Sequence, residues 1–198
     1  DFVQLVDSLS LEAKETNSVN TIYSVDGKLI GHNTDIAGFE LSIRHCKYNA
    51  NKKKVLIIGA GGVVPSIIVA LKRMNVEKIF IKNRTKNNAL ELKKKFLEVN
   101  LVDWNETIDV DMVINATSIG LKKGEKIDID LKKFGENKFF YDVIYNPKET
   151  NFLYEARKMG NLTENGKMMF IYQAHQAFSV WHKIFPVIDD EVIRIVEK

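Results

Sequence analysis

The sequence predicts an α/β protein in which a parallel sheet carries helices on both faces. The first observation is a wholly apolar run at residues 55–58, which is typical of a strand buried in a parallel sheet. The second is the apolar helical periodicity that follows it over residues 63–74. The third is the continued alternation of strand-like and helical segments, which indicates crossover connections between parallel strands.

The N-terminal part is predicted to hold two helices around a hairpin. Apolar residues recur at helical spacing over residues 1–14, which predicts a first helix. Asp26-Gly27 separates two β-rich runs, residues 21–25 and 28–33, and this dipeptide is a strong hairpin signal. A second helix is predicted to begin at Thr34 or Asp35.

A polar stretch at residues 49–54 is a candidate linker to the alternating region. Further strands are predicted at residues 78–83, 101–104, 110–115 and 139–144, and further helices at residues 88–99 and 151–159. A long apolar-periodic helix is predicted over residues 168–183. Asp189 is expected to cap a last helix over residues 191–197.

Composition excludes several classes of function. The chain has 198 residues, of which 45% are hydrophobic, and its formal net charge is +3. The lysines stand in short runs typical of solvated faces, so no nucleic-acid surface is expected. No apolar run is long enough for a membrane span. The single cysteine, Cys46, fits a reducing compartment, and we expect a cytoplasmic monomer or homodimer.

A glycine-rich loop joins the apolar strand to the helix that follows it. It consists of Gly59, Ala60, Gly61 and Gly62. Glycines allow the backbone to turn tightly and to approach a diphosphate, and the free N–H groups at the start of a helix attract its charge. The pattern favours a Rossmann-like dinucleotide site, although Val64 occupies the position of a third glycine. A plain tight turn between strand and helix is the alternative.

The end of the next strand distinguishes NAD from NADP. A site for NAD places an Asp or Glu about 20 residues beyond the glycine loop, where it binds the ribose 2′-hydroxyl. Here the strand runs into Asn83, Arg84, Thr85 and Lys86, and no carboxylate is present. The guanidinium of Arg84 suits a phosphate, Thr85 can donate to it and Lys86 adds charge. The sequence therefore predicts NADP, with an exposed loop arginine as the alternative.

Other polar groups have both a structural and a functional interpretation. Asp35 either caps the second helix or faces a polar substrate. Residues 115–120 form either a turn or part of a ligand crevice at the carboxyl end of the sheet. Tyr145 either reaches a ligand hydroxyl or packs in the core, and Gln173 needs a partner in its apolar helix. The histidines have no ligand-like companions, so no metal site is expected.

Together these segments resemble the shikimate dehydrogenase family. The resemblance rests on seven motifs that follow one another in the family's order. They are Asn20-Thr21, N-T-D-x-x-G at 33–38, G-A-G-G at 59–62, N-R-T at 83–85, N-A-T-S-x-G at 115–120, D-x-x-Y-x-P at 142–147, and Gly166, Met169 and Gln173 of a G-x-x-M-x-x-x-Q run.

The resemblance implies reversible hydride transfer between NADP and the C3 hydroxyl of shikimate, which gives 3-dehydroshikimate. Asp35 would be half of a catalytic Lys/Asp pair, and residues 37–165 would form the NADP-binding domain between two parts of a substrate domain, 1–36 and 166–198. The other implied roles are substrate binding by Asn20, Tyr145 and Gln173, 2′-phosphate binding by Arg84 and Thr85, adenosine contact by Thr117, and nicotinamide contact by Val143, Gly166 and Met169.

Two features depart from the family pattern. Its S-x-S and N-x-T-x-P-x-K motifs lie before the position that matches Asp1, and the second carries the catalytic lysine. Because an aspartate alone cannot replace a positioned proton donor and acceptor, we expect the chain as given to be inactive and the native start to lie upstream. Asn88 stands where many members carry another basic residue, for which Lys86 is the expected substitute.

Two other functions stay open at this point. One is a quinate/shikimate dehydrogenase paralogue, for which NAD is a second cofactor option that the missing acid after the second sheet strand argues against. The other is a non-catalytic nucleotide-binding module, of which the missing lysine motif would be the signature.

Overall fold

The structure is a computed structural model that describes residues 2–196. The chain forms two compact units. The first unit comprises three segments, which are residues 2–48, Pro65–Arg73 and residues 168–196. The second unit comprises Asn49–Val64 and Met74–Lys167. The predicted functional division into 1–36, 37–165 and 166–198 stays a prediction.

Within residues 2–196 the chain forms nine strands, seven α-helices and two short 3-10 helices, Phe2–Gln4 and Leu131–Phe134. The strands are β1 (Ser8–Leu9), β2 (Thr21–Val25), β3 (Lys28–His32), β4 (Lys54–Ile58), β5 (Lys78–Lys82), β6 (Asn100–Leu101), β7 (Met112–Asn115), β8 (Phe139–Asp142) and β9 (Leu162–Glu164). The helices are α1 (Leu11–Thr16), α2 (Asp35–His45), α3 (Val64–Arg73), α4 (Lys86–Lys95), α5 (Asn151–Lys158), α6 (Lys167–His182) and α7 (Asp190–Ile195).

The first unit is built on a three-stranded sheet in the order β1-β3-β2. β2 and β3 are antiparallel, and the turn between them has positive φ at Asp26 (49°) and Gly27 (77°), which confirms the predicted hairpin. The predicted helix over residues 1–14 is wrong. Its middle forms β1, which pairs in parallel with β3, and Asp1 lies outside the described residues.

The cause of that difference is a competition between helix and sheet pairing. Asp7 N donates to Leu29 O and Ser10 N to Gly31 O, so the backbone of this segment is committed to β3. The Ser10 hydroxyl then accepts from Ala13 N and begins α1. Of the apolar residues at helical spacing, Val6 and Leu9 lie against the sheet beside Gly31, whereas Phe2 and Leu5 are exposed.

The second unit contains a six-stranded, wholly parallel sheet in the order β6-β5-β4-β7-β8-β9, which confirms the predicted α/β class. β7 and β8 are buried along their whole length, and β4 is buried from Val55 onward. β9 was not predicted, because its Leu-Thr-Glu sequence lacks a strand pattern. α4 begins two residues earlier than expected and ends at Lys95.

The register of this sheet brings four strand ends into one row. Ile58 pairs with Lys82 on one side and with Asn115 on the other, and Asn115 pairs with Asp142. The loops that carry most of the predicted cofactor residues therefore leave the sheet side by side at its carboxyl edge, which is where open α/β sheets bind ligands.

Two further observations concern the helices. Asp189 caps α7 as predicted, because its carboxylate accepts from Glu191 N and Val192 N, while Glu197 at the predicted end lies outside the described residues. No helix between residues 2 and 196 is long and apolar enough to cross a membrane.

Candidate functional site

The glycine loop between β4 and α3 is closely packed at one end and open at the other. Gly59 has φ of +118°, and a Cβ there would lie 2.7 Å from the carbonyl oxygen of Ala116. A Cβ at Gly62 would meet no heavy atom within 4 Å, and both Gly61 and Gly62 are exposed. The half-buried Ala60 lies between the two ends. The loop thus offers bare, accessible backbone in front of a helix start, which fits a diphosphate.

Buried polar groups tie together the carboxyl ends of β7 and β8. Asn115 Nδ2 donates to Asp142 Oδ1 at 3.0 Å, and the amide of Ile144 donates to the same oxygen at 3.0 Å. Thr150 Oγ1, the cap of α5, donates to Asp142 Oδ2 at 2.6 Å. Burial raises the pKa of the Asp142 carboxyl, and these three donors oppose that rise.

This network also shapes the loop that contains Thr117. Asn115 Oδ1 accepts from both the amide and the hydroxyl of Thr117, at 3.0 and 2.7 Å. The Thr117 hydroxyl in turn accepts from Ile119 N at 3.1 Å. The turn interpretation of residues 115–120 is therefore correct, and the same turn lies at the carboxyl edge of the sheet.

Arg84 lies on the rim of a cavity of about 320 Å³ at the end of β5. Its side chain is exposed, and it forms no ion pair or hydrogen bond with any residue between 2 and 196. Asn83 Nδ2 donates to Thr85 O at 2.8 Å and so closes the turn before α4. Lys86 is engaged elsewhere, because its ammonium lies 2.8 Å from a carboxylate oxygen of Asp103.

Val143 and Gly166 are in direct contact in the second unit. A Cβ at Gly166 would lie 2.0 Å from the carbonyl oxygen of Val143, so only glycine fits there. Gly166 N donates to Ile144 O at 3.2 Å, and Val143 N donates to Asn115 O at 3.0 Å. Two residues that the family resemblance assigns to the nicotinamide are thus held together at the end of β8.

Asn20 and Asp35 form the polar centre of the first unit. Asn20 Nδ2 donates to Asp35 Oδ1 at 2.9 Å. The orientation of the amide is fixed, because Asn20 Oδ1 accepts from Thr34 N at 3.0 Å and from Thr21 Oγ1 at 3.1 Å. Burial raises the pKa of the Asp35 carboxyl, and the bond from Asn20 acts in the opposite direction.

The capping interpretation of Asp35 is wrong. The start of α2 is capped by Asn33, whose Oδ1 accepts from Asp35 N at 3.1 Å and from Ile36 N at 3.3 Å. Thr34 makes no capping bond through its side chain. The carboxylate of Asp35 is therefore not needed to stabilise the helix end. Sequence reasoning missed Asn33 because the next two residues are equally good caps.

α2 and α6 approach each other closely at Gly38. A Cβ at Gly38 would lie 2.8 Å from Gln173 Cβ and 2.9 Å from the carbonyl oxygen of Met169. Gln173 Oε1 accepts from Thr34 Oγ1 at 3.4 Å, which supplies the partner expected for it. Gln173 is thereby placed next to the Asn20–Thr34 bond, and Met169 is buried.

Tyr145 belongs to the second unit, just beyond β8. Its side chain is 38% exposed, so the core interpretation is wrong. Among residues 2–196 no group of three or more His, Cys, Asp or Glu side chains could hold a metal ion. The sequence analysis placed Asn115 and Asp142 in motifs but did not predict the buried hydrogen bonds by which they join two strand ends. A signal was present, since each is the one polar residue that ends an apolar strand.

A parallel sheet whose carboxyl edge carries an open glycine loop, and a guanidinium with no partner among residues 2–196, defines a dinucleotide-binding α/β protein. A family model described as shikimate / quinate 5-dehydrogenase matches residues 40–148. The chain belongs to this family.

Individual relatives cover almost the whole chain. A shikimate dehydrogenase (NADP(+)) of Pelagibacter ubique (strain HTCC1062) is 57% identical over 195 residues, which are 98% of this chain and 74% of the relative. A shikimate dehydrogenase (NADP(+)) of Caldicellulosiruptor saccharolyticus is 34% identical over 206 residues, which cover 100% of this chain and 74% of that relative. A crystal structure of shikimate 5-dehydrogenase from Thermus thermophilus, in complex with NADP(H) and shikimate, matches with a TM-score of 0.86 at 29% identity, covering 97% of this chain and 72% of that one.

Proposed function

We propose that this protein catalyses the reversible, NADP-dependent oxidation of shikimate to 3-dehydroshikimate. The observation that carries the proposal is the 57% identity, over 98% of the chain, to a shikimate dehydrogenase (NADP(+)). The geometry agrees with it, because the cofactor motifs converge on one edge of a parallel sheet and the Asn20–Asp35 pair forms a separate polar centre.

The residues of the second unit fit NADP. The bare backbone of Gly61 and Gly62 suits the diphosphate, and the exposed guanidinium of Arg84 suits the 2′-phosphate. Thr85 and Asn83 belong to the same turn, and Thr117 would lie along the adenosine. Val143 and Gly166 would border the nicotinamide, whose oxidised ring supplies the acceptor for a hydride. Met169, a residue of the first unit, keeps the nicotinamide role that the family resemblance implies.

The residues of the first unit suit a ligand rich in hydroxyl groups. Asn20 and Gln173 are amides whose orientation is set by Thr34, and Asp35 is a half-buried carboxylate that takes no part in helix capping. We assign Asp35 to the substrate hydroxyl that is oxidised. As the hydride leaves C3, the hydroxyl proton leaves its oxygen, and a carboxylate at that position stabilises or accepts it. Tyr145, of the second unit, would hold a further hydroxyl.

We also propose a cytoplasmic location, which fits a single cysteine, Cys46, that forms no disulfide within the described residues. A monomer or a homodimer is compatible with the proposed reaction.

The proposal is tested with the full-length protein in a spectrophotometric assay of NADPH formation. We expect shikimate to be oxidised with NADP, and both quinate as substrate and NAD as cofactor to support much lower kcat/KM. Equal kcat/KM for quinate and shikimate would reassign the protein to the dual-specificity members of the family. Complete inactivity with both substrates, in a folded protein that still binds NADP, would contradict the proposal and favour a nucleotide-binding module.

A further inference from the structure

A 2′-phosphate bound in the cavity beside Arg84 requires more positive charge than the N-R-T turn provides. A ribose 2′-phosphate carries between one and two negative charges at neutral pH, by analogy with other phosphate monoesters. Asn88 on the rim is neutral, and Lys86 is paired with Asp103 at 2.8 Å. Asp128 also lines the cavity and repels a phosphate. With Arg84 and Asp128 alone, the lining has no net charge.

Lys126 is the other cation that lines this cavity. It follows β7 by eleven positions and so approaches from a different loop than Arg84. Its side chain is exposed, and in the described part of the chain its ammonium is not engaged in an ion pair. Two cations and one carboxylate leave the lining with a net charge of +1. Lys126 therefore makes the net charge of the cavity lining positive.

The loop that carries Lys126 is held in place although it has no regular secondary structure. Glu125 Oε2 accepts from Gly120 N at 3.0 Å and from Lys122 N at 3.2 Å. Asn151 Nδ2 donates to the Glu125 carbonyl at 2.9 Å. On the other side, the indole N–H of Trp104 donates to the Asp128 carbonyl at 3.1 Å. Hydrogen bonds therefore fix the backbone on both sides of Lys126. On one of these sides the donor is Trp104, which lines the same cavity.

We propose that Lys126 is a specificity-determining residue that binds the 2′-phosphate of NADP opposite Arg84, in place of a basic residue at position 88. The inference rests on the proposed function for the identity of the ligand, but not on catalysis. The lysine adds a charge-assisted contact that only the phosphorylated ribose can use. Removing it leaves Arg84 opposed by Asp128, whose carboxylate is better suited to a ribose hydroxyl.

The test is isothermal titration of the full-length protein with two adenosine fragments, 2′,5′-ADP and 5′-AMP, which differ only in the 2′-phosphate. We expect Lys126→Ala to raise the Kd of 2′,5′-ADP by about five- to ten-fold, as for a partly sheltered charge pair. The Kd of 5′-AMP should change by less than about two-fold. Lys126→Arg should retain the preference. Lys123→Ala, an exposed lysine of the same loop that does not line this cavity, is the matched control and should change neither. The effect of Lys126→Ala should shrink as salt is raised.

Arg84→Ala separates failure of this inference from failure of the proposed cofactor site. If Arg84→Ala selectively weakens 2′,5′-ADP whereas Lys126→Ala weakens both fragments equally or neither, the assignment of Lys126 is wrong and the NADP site stands. If neither variant distinguishes the two fragments, both the role of Lys126 and the phosphate site at this edge are overturned.

Discussion

At the scale of single residues, the proposed oxidation of shikimate gives the carboxylate of Asp35 a role that can be tested. Asp35 is half-buried, and its position is set by the amide of Asn20, so an isosteric change tests its chemistry without moving its neighbours. In Asp35→Asn the side-chain oxygen can still accept from Asn20, but the group cannot take up the substrate proton. We expect kcat for shikimate oxidation to fall by about two to four orders of magnitude, with the Kd for NADP unchanged. A variant with near-normal turnover would show that Asp35 only positions the substrate.

Although Asp35→Asn should lower kcat, the same substitution should make the folded protein more stable than the wild type as pH rises. The pKa of Asp35 is raised above its ordinary 3.8 by burial, so the folded state holds this proton at pH values where the unfolded chain has lost it. The stability contributed by the carboxyl is present below 3.8 and is lost as pH rises through the folded-state pKa. Asparagine stays neutral throughout. In urea titrations from about pH 4 to pH 7, the variant should therefore become progressively more stable than the wild type and then level off.

At the scale of elements, a buried carboxylate joins two strands and a helix. Asp142 at the end of β8 accepts from Asn115 at the end of β7, from Ile144 N and from the α5 cap Thr150. Asp142→Ala removes the acceptor of three buried hydrogen bonds, although Asn115 Nδ2 keeps its bond to Ile119 O, and we expect the free energy of unfolding to fall by about 2–4 kcal/mol in urea. Asp142→Asn keeps an oxygen for Asn115 and Ile144, so its loss should be smaller.

Asp109 provides the comparison for this network. Its carboxylate is 83% exposed and is paired with Lys138 at 2.9 Å. Because exposed ion pairs contribute little, Asp109→Ala should lower the free energy of unfolding much less than Asp142→Ala does. Equal losses for the Asp142 and Asp109 alanine variants would mean that the buried bonds do not hold the strand ends together.

Elements differ in how far the sequence predicts them, and the difference has a physical cause. The hairpin is predictable because Asp26 and Gly27 adopt the required positive φ themselves. The segment that forms β1 is not, because its apolar spacing suits a helix and only the pairing of Ser8 and Leu9 with β3 decides against one. Local signals are decisive where the turn is local, and long-range pairing overrides propensity elsewhere.

The site follows the same rule. Arg84 and the glycine loop are predictable because their chemistry is tied to one strand-to-helix turn. Lys126 is not, because it reaches the cavity through a loop of irregular structure whose course depends on bonds to Asn151 and Trp104. Nor does the sequence reveal that Lys86 is paired with Asp103, since no helical or strand spacing relates the two.

At the scale of the whole molecule, cofactor binding and folding are linked. A ligand that binds only the folded state at about 100 times its Kd stabilises it by about 2.7 kcal/mol. For a protein of this size, that corresponds to a rise in Tm of about 5–10 °C. NAD at the same concentration should give about 0.4 kcal/mol if its Kd is about 100-fold higher, which is barely measurable. Differential scanning fluorimetry with the two cofactors measures the contrast directly. Arg84→Ala should bring the NADP shift closer to the NAD shift, with a residual difference left by Lys126, and should not change the Tm of the free protein, because the guanidinium has no partner to lose among the described residues. Equal shifts from NAD and NADP in the wild type would contradict a dedicated 2′-phosphate site.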